Sequence, residues 1–320
     1  MKKQDLAVDV TDAVGTGETL HVTATVVMPD TPNGVAMFGF PGGAYNRHYY
    51  DLHLDEGPDY SQAEFHAREG HVFVAIDHLG VGESSVPIRE LDYEAVARAN
   101  NAAANEIRRR FADGTIAPEV APVAISTAIA MGQSFGGFLL LIAQGNDPCF
   151  DAVAILGSSA IQTTPPWPSD LAIEDLVNLS AGNGLTHPMR PWFYCGDVPE
   201  SIVIADLTKQ GPGLGSAAPW STQFSPGGPA VKSDRNPLHP RVVAKEAAAI
   251  TAPVFIGNGE VDVVPNFRAE PAAYASSRDV TTCVFGRMYH MHNFASTRRN
   301  LWKRLSVWAD GVAATKATGP

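Results

Sequence analysis

The sequence around Ser134 reads G-x-S-x-G, with one more glycine behind it. Small and β-branched residues at 125–130 predict a buried strand before this motif, and apolar residues at 138–144 predict a helix after it. On a sharp turn between strand and helix, the Ser134 hydroxyl would project from the chain and the N–H of Phe135 would point to the same space. An ordinary Gly/Ser turn is the alternative. The context favours a serine that attacks a carbonyl group, with N–H groups nearby to stabilise the negative charge that forms.

Length and charge limit the classes of protein to which the chain could belong. Its 320 residues suit one large α/β domain, or such a domain with an inserted subdomain. A net charge of -11 argues against binding to nucleic acid, because the chain has no basic field to attract phosphates. The cysteines Cys149, Cys195 and Cys283 are scattered without C-x-x-C spacing, so neither a disulfide framework nor a zinc site is expected.

The N-terminal residues do not resemble a secretion signal, since no apolar stretch follows Met1 and the two lysines after it. No run of the sequence approaches the roughly 18 consecutive apolar residues of a membrane-spanning helix. We therefore expect a cytoplasmic protein that does not enter a membrane.

Short apolar segments alternate with helical patterns along most of the chain. The predicted strands, of which the first two would form an antiparallel edge hairpin, are 6–10, 19–28, 35–40, 71–77, 125–130, 152–157, 253–257 and 280–285. The predicted helices are 61–68, 91–112, 138–144, 269–276 and 297–308. Strands that are apolar throughout and alternate with helices indicate a mostly parallel sheet covered on both faces.

The alternation of strands and helices breaks between residues 161 and 249. Roughly ninety residues without a predicted strand are too many for an ordinary connection. The segment is rich in large aromatic residues: Trp167, Trp192, Trp220 and Phe224. We interpret 161–249 as a cap inserted between the core segments 1–160 and 250–320, where it would cover a pocket. A decorative surface insertion is the alternative.

With these features the chain resembles a capped protein of the α/β-hydrolase fold, and the resemblance covers nearly everything outside 161–249. The residues from Asp77 to Ser84 resemble the D-x-x-G-x-G-x-S turn that such proteins carry after their fourth strand. Asp77 and His78 are expected to be structural in that turn. The resemblance implies a mostly parallel eight-stranded sheet flanked by helices, with an inserted cap.

The same resemblance implies an acid and a base, in the chain order serine, aspartate, histidine. Asp262, in the glycine-containing loop after the strand 253–257, matches the acid, and Glu260 is a rival. The base should follow the last strand, where both His290 and His292 are candidates. The distance from the strand end favours His290, and His292 remains the alternative base.

The loop after the strand 35–40 contains two adjacent glycines, Gly42 and Gly43, where the family carries an H-G-G-G-type loop. We expect the N–H groups of Gly43 and Phe135 to bind the oxyanion, with Gly42 as a neighbour. Pro41 stands where histidine is usual, and an ordinary glycine turn is the alternative interpretation of this loop. The aromatic residues expected to line the substrate pocket are Tyr45, Tyr49 and Trp192.

The sequence therefore predicts a serine hydrolase that cleaves a carboxylic ester or a lactone through a Ser-His-Asp triad and an acyl-enzyme intermediate. The alternatives are an acyltransferase or a C–C bond hydrolase on the same triad, and a non-catalytic ligand receptor on this fold. No metal or organic cofactor is implied. The expected partner is a small, mainly apolar ester-like molecule, and a homodimer through the cap or the edge hairpin stays open.

Overall fold

The computed structural model describes residues 1–54, 57, 60–118, 120–164, 166, 190–207, 231 and 233–318. Within these residues the strands are β1 (Lys2–Asp9), β2 (His21–Met28), β3 (Val35–Phe40), β4 (Val72–Ile76), β5 (Thr127–Gln133), β6 (Ala152–Leu156), β7 (Val254–Gly259) and β8 (Val280–Phe285). They form one eight-stranded sheet in the order β1-β2-β4-β3-β5-β6-β7-β8.

The sheet is parallel except at one edge. Strands β1 and β2 pair in antiparallel fashion, as do β2 and β4, and every later pairing is parallel. All residues of β3, β4, β5, β6 and β7 are buried. Strands covered on both faces are mostly apolar along their whole length, which explains the apolar segments in the sequence. The predicted mostly parallel sheet and its edge hairpin are thus confirmed.

The α-helices in the described residues are α1 (Thr11–Val14), α2 (Gln62–Arg68), α3 (Tyr93–Asp113), α4 (Phe135–Asn146), α5 (Arg190–Phe193), α6 (Glu200–Leu207), α7 (Ala244–Ala249) and α8 (Arg298–Thr318). Short 3-10 helices lie at Arg47–Tyr50, Glu270–Ala273 and His292–Phe294. None of these helices combines the length and apolar character needed to cross a membrane.

Helix ends follow local sequence signals. The side chain of Asp92 accepts a hydrogen bond from the N–H of Ala95 (2.7 Å) at the start of α3, and Gly114 ends that helix in the left-handed conformation. The side chain of Ser61 caps α2 in the same way. The predicted helix 269–276 is wrong in type, since only a 3-10 turn containing Pro271 forms there.

Two apolar cores lie on opposite faces of the sheet. Alternate residues of β3 point to different faces, so Phe38 packs with α3, α4 and α7, whereas Met37 packs with α2 and α8. Helix α7 lies so close to α4 that a Cβ added at Gly145 would be 2.5 Å from the carbonyl oxygen of Glu246. The predicted cap at 161–249 lies in large part outside the described residues, and the division into core and cap stays a prediction.

Candidate active site

Ser134 lies on the turn that joins β5 to α4. Its backbone has φ 52° and ψ -120°, a conformation that residues with a Cβ seldom adopt. The neighbouring glycines make the turn sterically feasible. A Cβ at Gly132 would lie 2.5 Å from the carbonyl oxygen of Gly136, and a Cβ at Gly136 would lie 2.2 Å from that of Phe40. The strained turn therefore presents the Ser134 side chain at the carboxyl end of the parallel strands.

A chain of hydrogen bonds connects Ser134 to two residues that are distant in sequence. The Oγ of Ser134 lies 2.9 Å from Nε2 of His290, and Nδ1 of His290 lies 2.6 Å from Oδ1 of Asp262. A carboxylate can only accept, so Nδ1 carries the proton and donates it to Asp262. The unprotonated Nε2 then faces the serine hydroxyl, which is the tautomer that can remove a proton from Oγ.

Asp262 accepts four hydrogen bonds, two on each carboxylate oxygen. Oδ1 accepts from His290 and from the backbone N–H of Val263 (2.8 Å). Oδ2 accepts from the backbone N–H of Gly259 and from Nε2 of His292, each at 2.8 Å. Burial would raise the pKa of the Asp262 carboxyl, but electrostatic attraction and hydrogen bonds from the two histidines hold it well below its usual range. Asp262 is therefore a fixed negative charge.

The structure separates the sequence candidates for acid and base. Glu260, the rival acid, is exposed, and its backbone N–H donates to the carbonyl groups of Phe285 and Met288. His290 contacts Ser134, whereas His292 lies on the other oxygen of Asp262. The two histidines thus occupy different positions around one carboxylate.

Gly42 and Gly43 lie against the Ser134 turn. A Cβ at Gly42 would be 3.1 Å from Cβ of Ser134, and a Cβ at Gly43 would be 3.9 Å from Cβ of Phe135. Among the hydrogen bonds of the described residues, neither the N–H of Gly43 nor that of Phe135 has an acceptor. The N–H of Phe135 also lies at the start of α4, where the helix dipole favours negative charge. This arrangement can stabilise an oxyanion.

His78 fixes the start of this glycine loop. Its Nε2 donates to the carbonyl oxygen of Pro41 (3.0 Å), and its Nδ1 accepts from the side-chain amide of Asn100 (3.0 Å). Burial lowers the pKa of His78 to about 4, so the imidazole is neutral near pH 7. The sequence assigned His78 a structural role, but the contact with Pro41 depends on tertiary packing that no motif shows.

Arg47 and Asp77 anchor the other end of the loop. The backbone N–H of Arg47 donates to Oδ1 of Asp77 (2.6 Å), and its guanidinium donates to Oδ2 (2.7 Å) and to Oγ1 of Thr25 (2.9 Å). Both side chains are almost fully buried. Gly82 is required beside them, because it has φ 58° and a Cβ there would lie 2.2 Å from Asp77. The D-x-x-G-x-G-x-S turn is therefore structural, as expected.

A cavity of about 190 Å³ opens beside Ser134 and His290. Its described lining is largely apolar and consists of Phe135, Phe138, Gly157, Ser158, Thr163, Phe193, Pro237, Leu238 and Val263. The ring of Phe193 lies 4.9 Å from the His290 imidazole, centroid to centroid. The carbonyl of Phe193 also accepts from the N–H of Met291 (3.0 Å), so helix α5 is joined to the loop that carries His290.

The three aromatic residues predicted to line the pocket lie elsewhere. Tyr49 is 1% exposed and packs in the core, where its hydroxyl accepts from the N–H of Asn293. Tyr45 packs edge-on against Tyr49, and Trp192 is half-buried beside Phe193 without lining the cavity. The aromatic residues after β3 turn towards the sheet core, and Phe135 and Phe138 of α4, together with Phe193 of α5, supply the aromatic wall instead.

Tyr45 takes part in a buried cluster with Asp206 and Tyr194. The hydroxyls of both tyrosines donate to Oδ2 of Asp206, at 2.7 Å for Tyr45. Asp206 is 2% exposed and lies on α6. Burial and the Asp206 charge raise the pKa of Tyr194 well above its usual value, so it remains a neutral donor. This tyrosine–aspartate cluster joins α6 to the glycine loop.

One group among the described residues has the composition of a metal site, namely Asp51, His53 and Glu64. Lys3 donates to one oxygen of Asp51, and the hydroxyl of Ser61 donates to the other at 2.6 Å. These contacts give the carboxylate of Asp51 a structural role.

Comparison with known proteins supports the fold. No protein-family model and no curated protein sequence matches the chain. Solved structures do match over nearly its whole length. An esterase from Thermogutta terrifontis aligns with a TM-score of 0.62 at 14% identity, covering 97% of this chain and 99% of that one. Proline iminopeptidase from Mycobacterium smegmatis aligns with a TM-score of 0.61 at 16% identity, covering 97% and 99%.

A third similar structure is the carboxylesterase CesB from Bacillus subtilis, with a TM-score of 0.59 at 12% identity, covering 95% of this chain and 90% of that one. The chain therefore has the α/β-hydrolase fold, as the resemblance in the sequence implied. Because one fold can carry many activities, the activity has to be argued from the site.

Proposed function

We propose that the protein is a serine hydrolase that cleaves a carboxylic ester or a lactone. Ser134 is the nucleophile, His290 the general base and Asp262 the acid that orients it. The observation that carries this proposal is the chain of hydrogen bonds from Ser134 through His290 to Asp262, at 2.9 and 2.6 Å, beside an apolar cavity.

The reaction proceeds in two acyl transfers. Nε2 of His290 takes the proton from Oγ of Ser134 as the oxygen attacks the carbonyl carbon. The resulting imidazolium is stabilised by Asp262 and gives its proton to the alkoxide that leaves. His290 then takes a proton from water, the hydroxide attacks the acyl-enzyme, and Ser134 regains its proton as the carboxylic acid is released.

The oxyanion that forms in each transfer would be bound by the N–H groups of Gly43 and Phe135, with Gly42 as a neighbour. Both proposed donors lie next to Ser134 and lack an acceptor among the described residues. The loss of one such donor typically lowers kcat by about 10²- to 10³-fold.

The cavity supports an apolar substrate group. Apart from His290, its described lining includes no ionisable side chain, whereas Phe135, Phe138 and Leu238 supply apolar walls. A neutral, apolar acyl or alcohol portion would be bound there without leaving a buried charge unpaired.

Labelling with a fluorophosphonate tests the nucleophile. We expect one label per chain on Ser134, located by mass spectrometry, and no label in Ser134→Ala. Ser158→Ala is the matched control, since Ser158 also lines the cavity but is not hydrogen-bonded to His290, and this variant should still be labelled. Activity on p-nitrophenyl butyrate should fall by at least about 10⁴-fold in Ser134→Ala. A folded protein that is not labelled, or is labelled equally in Ser134→Ala, contradicts the proposal.

A further inference from the structure

Two imidazoles share the carboxylate of Asp262. His290 donates to Oδ1 at 2.6 Å, and Nε2 of His292 lies 2.8 Å from Oδ2. Gly157 allows both rings to approach, because a Cβ there would lie 3.1 Å from Asp262 and 3.2 Å from each histidine. The mechanism above uses His290 and leaves the second histidine without a role.

His292 is held rigidly in place. Its side chain is 1% exposed and it begins the 3-10 helix His292–Phe294. The next residue, Asn293, donates through its side-chain amide to the carbonyl oxygen of Tyr49 (3.0 Å) and accepts from Nε1 of Trp302 (2.9 Å). These contacts of Asn293 anchor the segment that carries His292.

The other nitrogen of His292 shows that this imidazole is more than a space-filling group. Nδ1 is buried and has no hydrogen-bond partner among the described residues. A buried nitrogen without a partner destabilises a fold, so an apolar ring would fill the same space at lower free energy. The favourable polar contact that the histidine makes is the donation from Nε2 to Asp262.

We propose that His292 is a positioning residue of the catalytic site, which rests on the proposed function. Its Nε2–H and the N–H of Gly259 hold Oδ2 of Asp262, and this fixes the rotation of the carboxylate so that Oδ1 faces His290. Without His292, Oδ2 keeps only the N–H of Gly259, and the carboxylate is held against rotation about its Cβ–Cγ bond by this donor and the N–H of Val263 on Oδ1, and therefore less tightly. The His290 imidazole then loses the orientation that proton transfer from Ser134 requires.

Two substitutions at this position separate positioning from packing. His292→Phe keeps an aromatic ring but removes the donor, and kcat on p-nitrophenyl butyrate should fall about 10- to 100-fold, the equivalent of one charge-assisted hydrogen bond. KM should change little, because His292 is not among the cavity residues. His292→Gln offers an amide N–H near the position of Nε2 and should restore most of kcat.

A spectroscopic measurement and a control complete the test. The downfield proton resonance of the His290–Asp262 hydrogen bond should shift or broaden in His292→Phe and return in His292→Gln. His66→Phe is the matched control, because His66 is also fully buried with an unpartnered Nδ1 but lies away from the site, and kcat should not change.

The inference is overturned if folded His292→Phe keeps the wild-type kcat and resonance. It is also overturned if folded His292→Gln loses about 10-fold or more of the wild-type kcat, and this second arm decides the matter where His292→Phe does not fold. Failure of the proposed function gives a different result, since the wild-type protein would then not be labelled by the fluorophosphonate, or Ser134→Ala would be labelled equally.

Discussion

The contact between α4 and the glycine loop leads to a sharp prediction for Gly136→Ala. A Cβ at Gly136 would lie 2.2 Å from the carbonyl oxygen of Phe40 and 2.5 Å from that of Pro41. Both obstacles are backbone atoms, which cannot rotate away as the end of a side chain can. The methyl group is therefore accommodated only if the loop moves away from α4.

The magnitude follows from two opposing effects. Replacing glycine by alanine within a helix stabilises a protein by about 0.5–1 kcal/mol. Forcing a methyl group into a closely packed contact destabilises it by about 1–3 kcal/mol. The two ranges combine to a net loss of about 0–2.5 kcal/mol, and because both obstacles are backbone atoms we expect Gly136→Ala to lie in the upper part of that range. Gly311 in α8 has nothing within 4 Å of the position of its Cβ, so Gly311→Ala should show the favourable effect alone.

Activity should respond more strongly than stability. Displacing the carbonyl of Pro41 moves Gly42 and Gly43 away from the Ser134 turn, and kcat of Gly136→Ala should fall by up to about 10²- to 10³-fold. Gly311→Ala should keep the wild-type kcat. Urea unfolding followed by circular dichroism and hydrolysis of p-nitrophenyl butyrate measure the two quantities. If Gly136→Ala is as stable and as active as Gly311→Ala, the described contact between helix and loop is wrong.

Two further predictions concern the residues that hold the glycine loop. Burial lowers the pKa of His78 from 6.5 to about 4. Between pH 6.5 and pH 4 the unfolded chain therefore binds more protons than the folded protein, and the folded protein loses stability as the pH falls through this range. From pH 7 to pH 5 the free energy of unfolding should fall by about 2 kcal/mol because of His78. In urea unfolding, the free energy of His78→Gln should fall by about 2 kcal/mol less than that of the wild type over the same pH range, and an equal fall in both proteins would contradict the assignment. Arg47→Met leaves the buried carboxylate of Asp77 without its cation and should destabilise the protein by about 3–5 kcal/mol in the same assay, whereas a change below 1 kcal/mol would refute the role of this ion pair.

The fold was predictable because its local signals agree with one another. The G-x-S-x-G motif around Ser134 lies between an apolar segment and a helical pattern, and both elements form there. The apolar pattern in the sequence fails to mark the ends of elements where residues are exposed, because there burial does not require an apolar side chain. Strand β1 begins at Lys2 and alternates exposed and partly buried residues, so its apolar pattern is weak and the prediction began only at residue 6. Helix α8 continues to Thr318 through a segment that contains four alanines, whereas the prediction ended with the last large apolar residue, Trp308.

The order of Ser134, Asp262 and the histidines along the chain predicted which residues could form the site, but not how their side chains are arranged in space. Spacing favoured His290 but did not exclude His292, because two residues in a loop can place either ring near the serine. The separation arises from the 3-10 turn that starts at His292, which has no strong sequence signal. Similarly, Tyr49 is aromatic and near the glycine loop, but only the packing of the sheet determines that its ring points into the core.

The tyrosine–aspartate cluster has a practical consequence for protein engineering. Exchanging the segment around Asp206 for one from another protein would affect more than that segment. In this protein a transplanted segment that lacks a carboxylate at the place of Asp206 would leave the hydroxyl of Tyr45 without its acceptor, two residues from Gly43. A chimera of this kind should therefore carry its own acid at that place, or be paired with Tyr45→Phe in the scaffold.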